Sequence, residues 1–161
     1  MKTNAFMLLS LLFLVCSSCK ENVDVLKEQE AIKAVMEEEK NTFNNRNLEG
    51  IAATWIQKPS SIKIYMHKNG QTKLIGWDKI YEDDKEYLRT DTFDRKKFDI
   101  KFSDYQFNIY EKNAWVMFKA IWNIPQNDTT YIFEQTRISA FEKSDGKWKY
   151  TLMAIFNVPN E

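Results

Sequence analysis

Residues 114–158, AWVMFKAIWNIPQNDTTYIFEQTRISAFEKSDGKWKYTLMAIFNV, read as three consecutive strands, 114–124, 129–142 and 147–158. The breaks fall at Pro125-Gln126-Asn127-Asp128 and at Ser144-Asp145-Gly146, where turn residues interrupt the apolar alternation. Upstream, residues 98–110 alternate in the same way and end at Glu111-Lys112-Asn113, so the second half of the chain predicts a meander of long antiparallel strands. Its alternation is apolar on both sides. Val116, Phe118, Ala120 and Trp122 point one way and Trp115, Met117 and Ile121 the other; on the next strand Phe133, Gln135, Arg137, Ser139 and Phe141 oppose Ile132, Thr136, Ile138 and Ala140. A sheet covered by helices on one face alone keeps its other face polar. The second apolar face, carrying Trp115, Met117, Ile121 and Ile138, therefore predicts either a homodimer joined through it or coverage by the chain's own termini or by residues 89–97.

The first half has a different period. Leu26, Ile32, Val35, Met36 and Phe43 recur at helical spacing over residues 23–45, and the acidic run Glu37-Glu38-Glu39 reads as the solvated face of that helix. Asn47 is placed to cap a shorter helix bearing Leu48, Ile51, Ala52 and Trp55, which Pro59 prevents from continuing. Residues 62–68 alternate as a strand before the turn signal Asn69-Gly70, and a third helix is expected over 77–88, followed by a charged connection. Helices first and strands afterwards give an α+β domain, with N-terminal helices packed on a strongly curved, mainly antiparallel sheet.

Composition limits the partners. The chain has 23 basic and 23 acidic residues among 161, a balance that argues against nucleic acid or an anionic membrane surface. Its start reads as a processed leader. Lys2 is followed by an apolar run over 5–15, too short to span a bilayer, and Ser17-Ser18 place small residues just before Cys19. Cleavage before Cys16 would instead place bulky Leu14 and Val15 there. The expected organisation is a lipoprotein signal peptide at 1–18, a lipidated Cys19 and tether at 19–25, and one domain at 26–161. The other reading is an ordinary secretory signal with an incidental cysteine. A lipid on Cys19 would hold the protein in a bacterial envelope, and Lys20-Glu21 lacks the aspartate that in some bacteria marks inner-membrane retention, so the outer membrane is expected, on its periplasmic or exposed side. With no cysteine after Cys19, neither a disulfide framework nor a thiolate metal site is expected, and no cofactor is called for. Asn127-Asp128-Thr129 spells a glycosylation sequon but reads as a polar turn.

With this element order, and with Glu134-Gln135-Thr136-Arg137 on one strand followed by Asp145-Gly146-Lys147-Trp148 at the last hairpin, the chain resembles the nuclear transport factor 2-like superfamily. That group includes polyketide-cyclase-like and ketosteroid-isomerase-like proteins. The resemblance implies a cystatin-like cone enclosing a cavity, with Arg137 as the cavity arginine. It also implies little of the family's chemistry. The first strand has no carboxylate to act as base, Phe43 stands where a tyrosine would be, and Leu152 and Ala154 match the positions of a histidine pair found in some members.

The expected function is a lipid-anchored, non-catalytic binding module. Its pocket would draw on Trp55, Tyr65, Trp77, Phe118, Trp122 and Arg137 to hold a small apolar or weakly anionic ligand. A competing reading for Arg137 pairs it with Glu134 or Glu142 at the sheet surface. Two other functions are carried: an isomerase, dehydratase or cyclase using His67 as base and Arg137 as anion stabiliser, and a scaffold lipoprotein that binds another envelope protein. His67, beside Lys68 and the Asn69-Gly70 turn, is equally readable as an exposed residue at a strand end.

Overall fold

Asp24 opens the first helix by accepting a hydrogen bond from the backbone N–H of Lys27 (3.2 Å). A computed structural model of the chain describes residues 23–126 and 129–157. The expected signal segment, Cys19, most of the tether and the Asn127-Asp128 part of the sequon lie outside the described residues. Helix α1 is Val25–Asn44 and α2 is Leu48–Thr54. Asn47 caps α2, its side chain accepting from Gly50 N at 3.0 Å. Strands β1 (Ile62–His67) and β2 (Gly70–Ile75) form a hairpin before α3 (Trp77–Thr90). The four long strands follow as β3 (Asp99–Ile109), β4 (Asn113–Gln126), β5 (Thr129–Ser144) and β6 (Lys147–Asn157).

The strands make one open sheet in the order β2-β1-β6-β5-β4-β3. Every pairing is antiparallel except β1 with β6, which run parallel. Asp145 (φ 51°) and Gly146 (φ 75°) both sit in the left-handed region, the geometry of a tight turn whose twist matches its strands, and they fix the β5–β6 register. The first hairpin turns at Lys68-Asn69 instead of at Asn69-Gly70, because Gly70 already pairs with His67 as the first residue of β2. Two irregularities bend the sheet around the helices: the β3–β4 register shifts between Ser103 and Gln106, with Asp104 at φ 53°, and the β5–β6 register shifts at Ala140/Phe141, leaving Thr151 unpaired.

The concave face of this sheet is packed by Ile32 and Met36 from α1, Ile51 from α2 and Ile80 from α3 against Val116, Phe118, Phe141 and Met153. Fully burying side chains of this kind contributes about 1.5–3 kcal/mol each. Trp55 stacks on Tyr150 (ring centroids 5.4 Å) and meets Trp77 at 6.3 Å, closing one end of the core. At that end Glu28 accepts from Lys143 Nζ (2.7 Å) and Trp148 Nε1 (2.6 Å), and the Lys143 bond holds the Glu28 carboxyl below its usual range. At the other end Arg46 donates to the carbonyls of Leu88 (2.6 Å), Asp91 (2.7 Å) and Phe93 (2.9 Å), satisfying the C-terminus of α3.

Residues 91–98 belong to the helix side of the molecule. Arg95 packs over Phe43 (4.6 Å) and Tyr87 (4.8 Å) and donates to the Asp91 carboxylate. This connection therefore does not cover the second sheet face. There Trp115 is 42% exposed, and Met117, Ile121 and Ile138 are half-buried beside Leu152, Ile62 and Ile64.

Candidate functional site: an arginine in an aromatic hollow

Between the lower half of α1 and the widest part of the sheet is a cavity of about 390 Å³. The concave surface of a bent sheet cannot be filled along its whole length by one helix, and the space lies where α1 ends. Exposed wall residues Thr72, Tyr87 and Asn157 mark its mouth, and Phe102, Trp122, Met153 and Ile155 give it apolar sides.

Arg137 reaches this hollow from β5 and is 7% exposed. Among the described residues its guanidinium is held by one side chain, Gln135, whose Oε1 accepts from Arg137 Nε (3.1 Å) and Nη2 (2.8 Å) and also from Trp122 Nε1 (2.9 Å). Gln135 is fixed in turn by donating from Nε2 to Asn157 Oδ1 (2.8 Å). The rings of Trp122 (5.5 Å) and Phe102 (6.0 Å) flank the cation. Neither acid that could have drawn Arg137 to the surface does so, because Glu134 pairs with Lys119 (3.1 Å) and Glu142 with Lys58 (2.8 Å). Nη1 has no protein partner among the described residues. Burial pulls the guanidinium below its ordinary range, opposed chiefly by the field of Glu39.

Glu39 is the finding that the acidic run concealed. Glu38 is exposed, but Glu39 is 6% exposed and lines the cavity, so the run is not wholly a solvated face. Among the described residues its carboxylate makes no hydrogen bond or ion pair. Burial pushes its titration upward, while Arg137 and Lys63 pull against that shift. The floor holds a further buried pair. Lys63 on β1 (3% exposed) donates to Oδ1 of Asp84 on α3 (1% exposed), and Tyr65 OH donates to Asp83 Oδ2 at 3.2 Å. Burial opposes the charge on Lys63, but the Asp84 carboxylate more than offsets it and holds the ammonium above the usual lysine range. Burial, with Asp84 next to it, pushes the Tyr65 phenol up to about 12.

Of the residues expected at the pocket, Tyr65, Trp122 and Arg137 are on its wall. Trp55, Trp77 and Phe118 are not. Trp55 and Trp77 are spent on the core end near Tyr150, and Phe118 lies under the rings of Phe102 (5.1 Å) and Tyr105 (6.0 Å). His67 is exposed at the end of β1 and away from the cavity wall, so the structure does not bring it together with Arg137. Leu152 and Ala154 pair with the outward residues Ala140 and Ile138; the inward positions of β6 are Met153 and Ile155. Among the described residues no cluster of three or more His, Cys, Asp or Glu is arranged to hold a metal ion.

Glu39, Lys63 and Gln135 were all reachable by spacing. Ile32, Met36, Glu39 and Phe43 form one stripe at intervals of four, three and four; Lys63 alternates with Tyr65; Gln135 precedes Arg137 by two.

No protein-family model and no curated protein sequence matches the chain. Solved structures do. A nuclear transport factor 2-like protein of unknown function from Pseudomonas putida KT2440 superposes with TM-score 0.67 at 10% identity, over 84% of this chain and 89% of that one. A Mycobacterium tuberculosis protein of unknown function gives TM-score 0.70 at 14% identity over 89% and 79%. The CaMKII hub of S. rosetta gives 0.64 at 11% identity over 80% and 95%. With its helices on an open, bent and mostly antiparallel sheet, the chain has the nuclear transport factor 2-like, cystatin-like cone fold.

Proposed function

We propose that the protein is a lipid-anchored envelope protein whose cone binds, without transforming it, a small and largely apolar ligand bearing one acidic group. The observation that carries this reading is Arg137: a guanidinium taken out of water, oriented by Gln135 and, among the described residues, in no ion pair with a carboxylate. A buried charge without a counter-ion is costly, and a ligand's acid facing its free Nη1 would offset that cost through a charge-assisted hydrogen bond. The cavity size is in the range of small-molecule sites, and its aromatic walls suit an apolar body. A signal-type segment at residues 1–18 followed by Cys19 supports a lipid anchor in a bacterial envelope, and Lys20-Glu21 supports the outer membrane.

The apolar outer face supports a homodimer through Trp115, Met117, Ile121 and Ile138. Native mass spectrometry of the purified protein after incubation with an envelope extract tests the binding reading. Retention of a small acidic molecule by the wild type and its loss in Arg137→Met is expected. An equally occupied Arg137→Met variant, or a wild type that stays empty, would overturn it.

A further inference from the structure

We infer that the ligand carries a cationic nitrogen as well as its acid, with Glu39 receiving the nitrogen and Arg137 the acid, so that the site selects an amino acid or a similar amphoteric molecule with an apolar side chain. This rests on the binding reading above and adds a second pole to it.

The other charges of the wall already have protein partners. Lys63 is matched by Asp84, Asp83 accepts from Tyr65, and Lys40 donates to Glu37 and to the Ile100 carbonyl (3.2 Å). Glu39 and Arg137 remain, one from α1 and one from β5, each more than nine-tenths buried and both on the wall of the same hollow. They feel each other's field but form no ion pair. A ligand with only an acid would bring a second negative charge toward Glu39, and one with only an amine would bring a second positive charge toward Arg137. A dipolar ligand satisfies both in one placement, and in a low-dielectric pocket each pairing is stronger than in water. Phe43, Phe102 and Trp122 on the same wall favour an apolar or aromatic side chain on that ligand.

The test is calorimetric titration of the full-length protein with three indoles of nearly equal size: tryptophan, indole-3-propionate and tryptamine. Tryptophan is expected to bind at least tenfold more tightly than either single-pole analogue. Glu39→Gln is expected to cut its advantage over indole-3-propionate below threefold, and Arg137→Met to abolish its advantage over tryptamine. Thermal melts of both variants check that they remain folded. Indole-3-propionate binding as tightly as tryptophan, or an unchanged ratio in Glu39→Gln, would overturn the inference. If indole-3-propionate alone binds and depends on Arg137, the binding reading stands and the second pole falls. If none of the three binds, both fall.

Discussion

Replacing Asp84 by alanine removes the counter-ion from an ammonium that is itself almost wholly buried, Lys63 being 3% and Asp84 1% exposed. Breaking one half of such a pair leaves an uncompensated charge in a dry site and costs about 3–5 kcal/mol. For a domain of this size about 2–4 °C is lost per kcal/mol, so the melting temperature is expected to fall by roughly 6–20 °C. Lys63→Met strands the Asp84 carboxylate, whose Oδ2 already lacks a partner, and is expected to cost a similar amount. The double variant Lys63→Met/Asp84→Leu removes both charges and fills the space with apolar atoms. It is expected to return to within about 1 kcal/mol of wild type or to exceed it. Urea unfolding of the four proteins, followed by tryptophan fluorescence at pH 7, gives the coupling energy directly. Because the folded state raises the Lys63 titration above its unfolded value of 10.5, this contribution is fully present below that pH and is lost as pH rises through the folded value. Single variants that each cost under about 1 kcal/mol, or a double variant as unstable as their sum, would refute the reasoning, since the pair would then be wet.

Glu39→Gln is expected to stabilise the unliganded protein at neutral pH. The folded state raises the Glu39 titration above its unfolded value of 4.5, so folding binds protons, and wild-type stability falls as pH rises from 4.5 through the folded value; melts of the variant are expected to lose that slope. Met117→Glu places a charge in the middle of the exposed sheet face. Sedimentation is expected to show the wild type as a dimer and this variant as a monomer with an unaltered fold, whereas a monomeric wild type would contradict the dimer reading. Cys19→Ser is expected to remove the lipid mass seen by intact mass spectrometry and to move the protein from the membrane fraction to the soluble one. An unchanged mass and partition would contradict the anchor.

Much of this architecture was legible because it follows from local chemistry. Asn47 capped the second helix as its side chain requires, Asp145-Gly146 made the tight turn, and the double alternation of residues 114–142 marked both faces of the central strands. The parallel pairing of β1 with β6 was not legible, since no local pattern encodes which strand a hairpin docks against. The cavity was harder for a physical reason. Trp55 and Trp122 are equally apolar in sequence, and only the bend of the sheet decides that one closes the core while the other lines the hollow. The facing of β6 was not legible either: the unpaired Thr151 shifts its alternation by one residue, turning Leu152 and Ala154 outward and Met153 and Ile155 inward. Glu39 was masked by its neighbours: three consecutive acids read as one exposed surface, although the third shares a stripe with Ile32, Met36 and Phe43.

The central claim is that Arg137, buried on the wall of the hollow, binds an acid there. It is tested most directly by titrating the protein at pH 5 with 2-naphthalenesulfonate, which keeps its charge, and with its neutral analogue 2-naphthalenemethanol. Lowering the pH shifts the Glu39 carboxyl toward its neutral form, the same direction in which burial pushes it, and so weakens its competing field. The sulfonate is expected to bind about 10- to 100-fold more tightly than the alcohol, the worth of one charge-assisted contact, and Arg137→Met is expected to erase that difference. Equal affinity for the two probes, or a preference that survives Arg137→Met, would contradict the account.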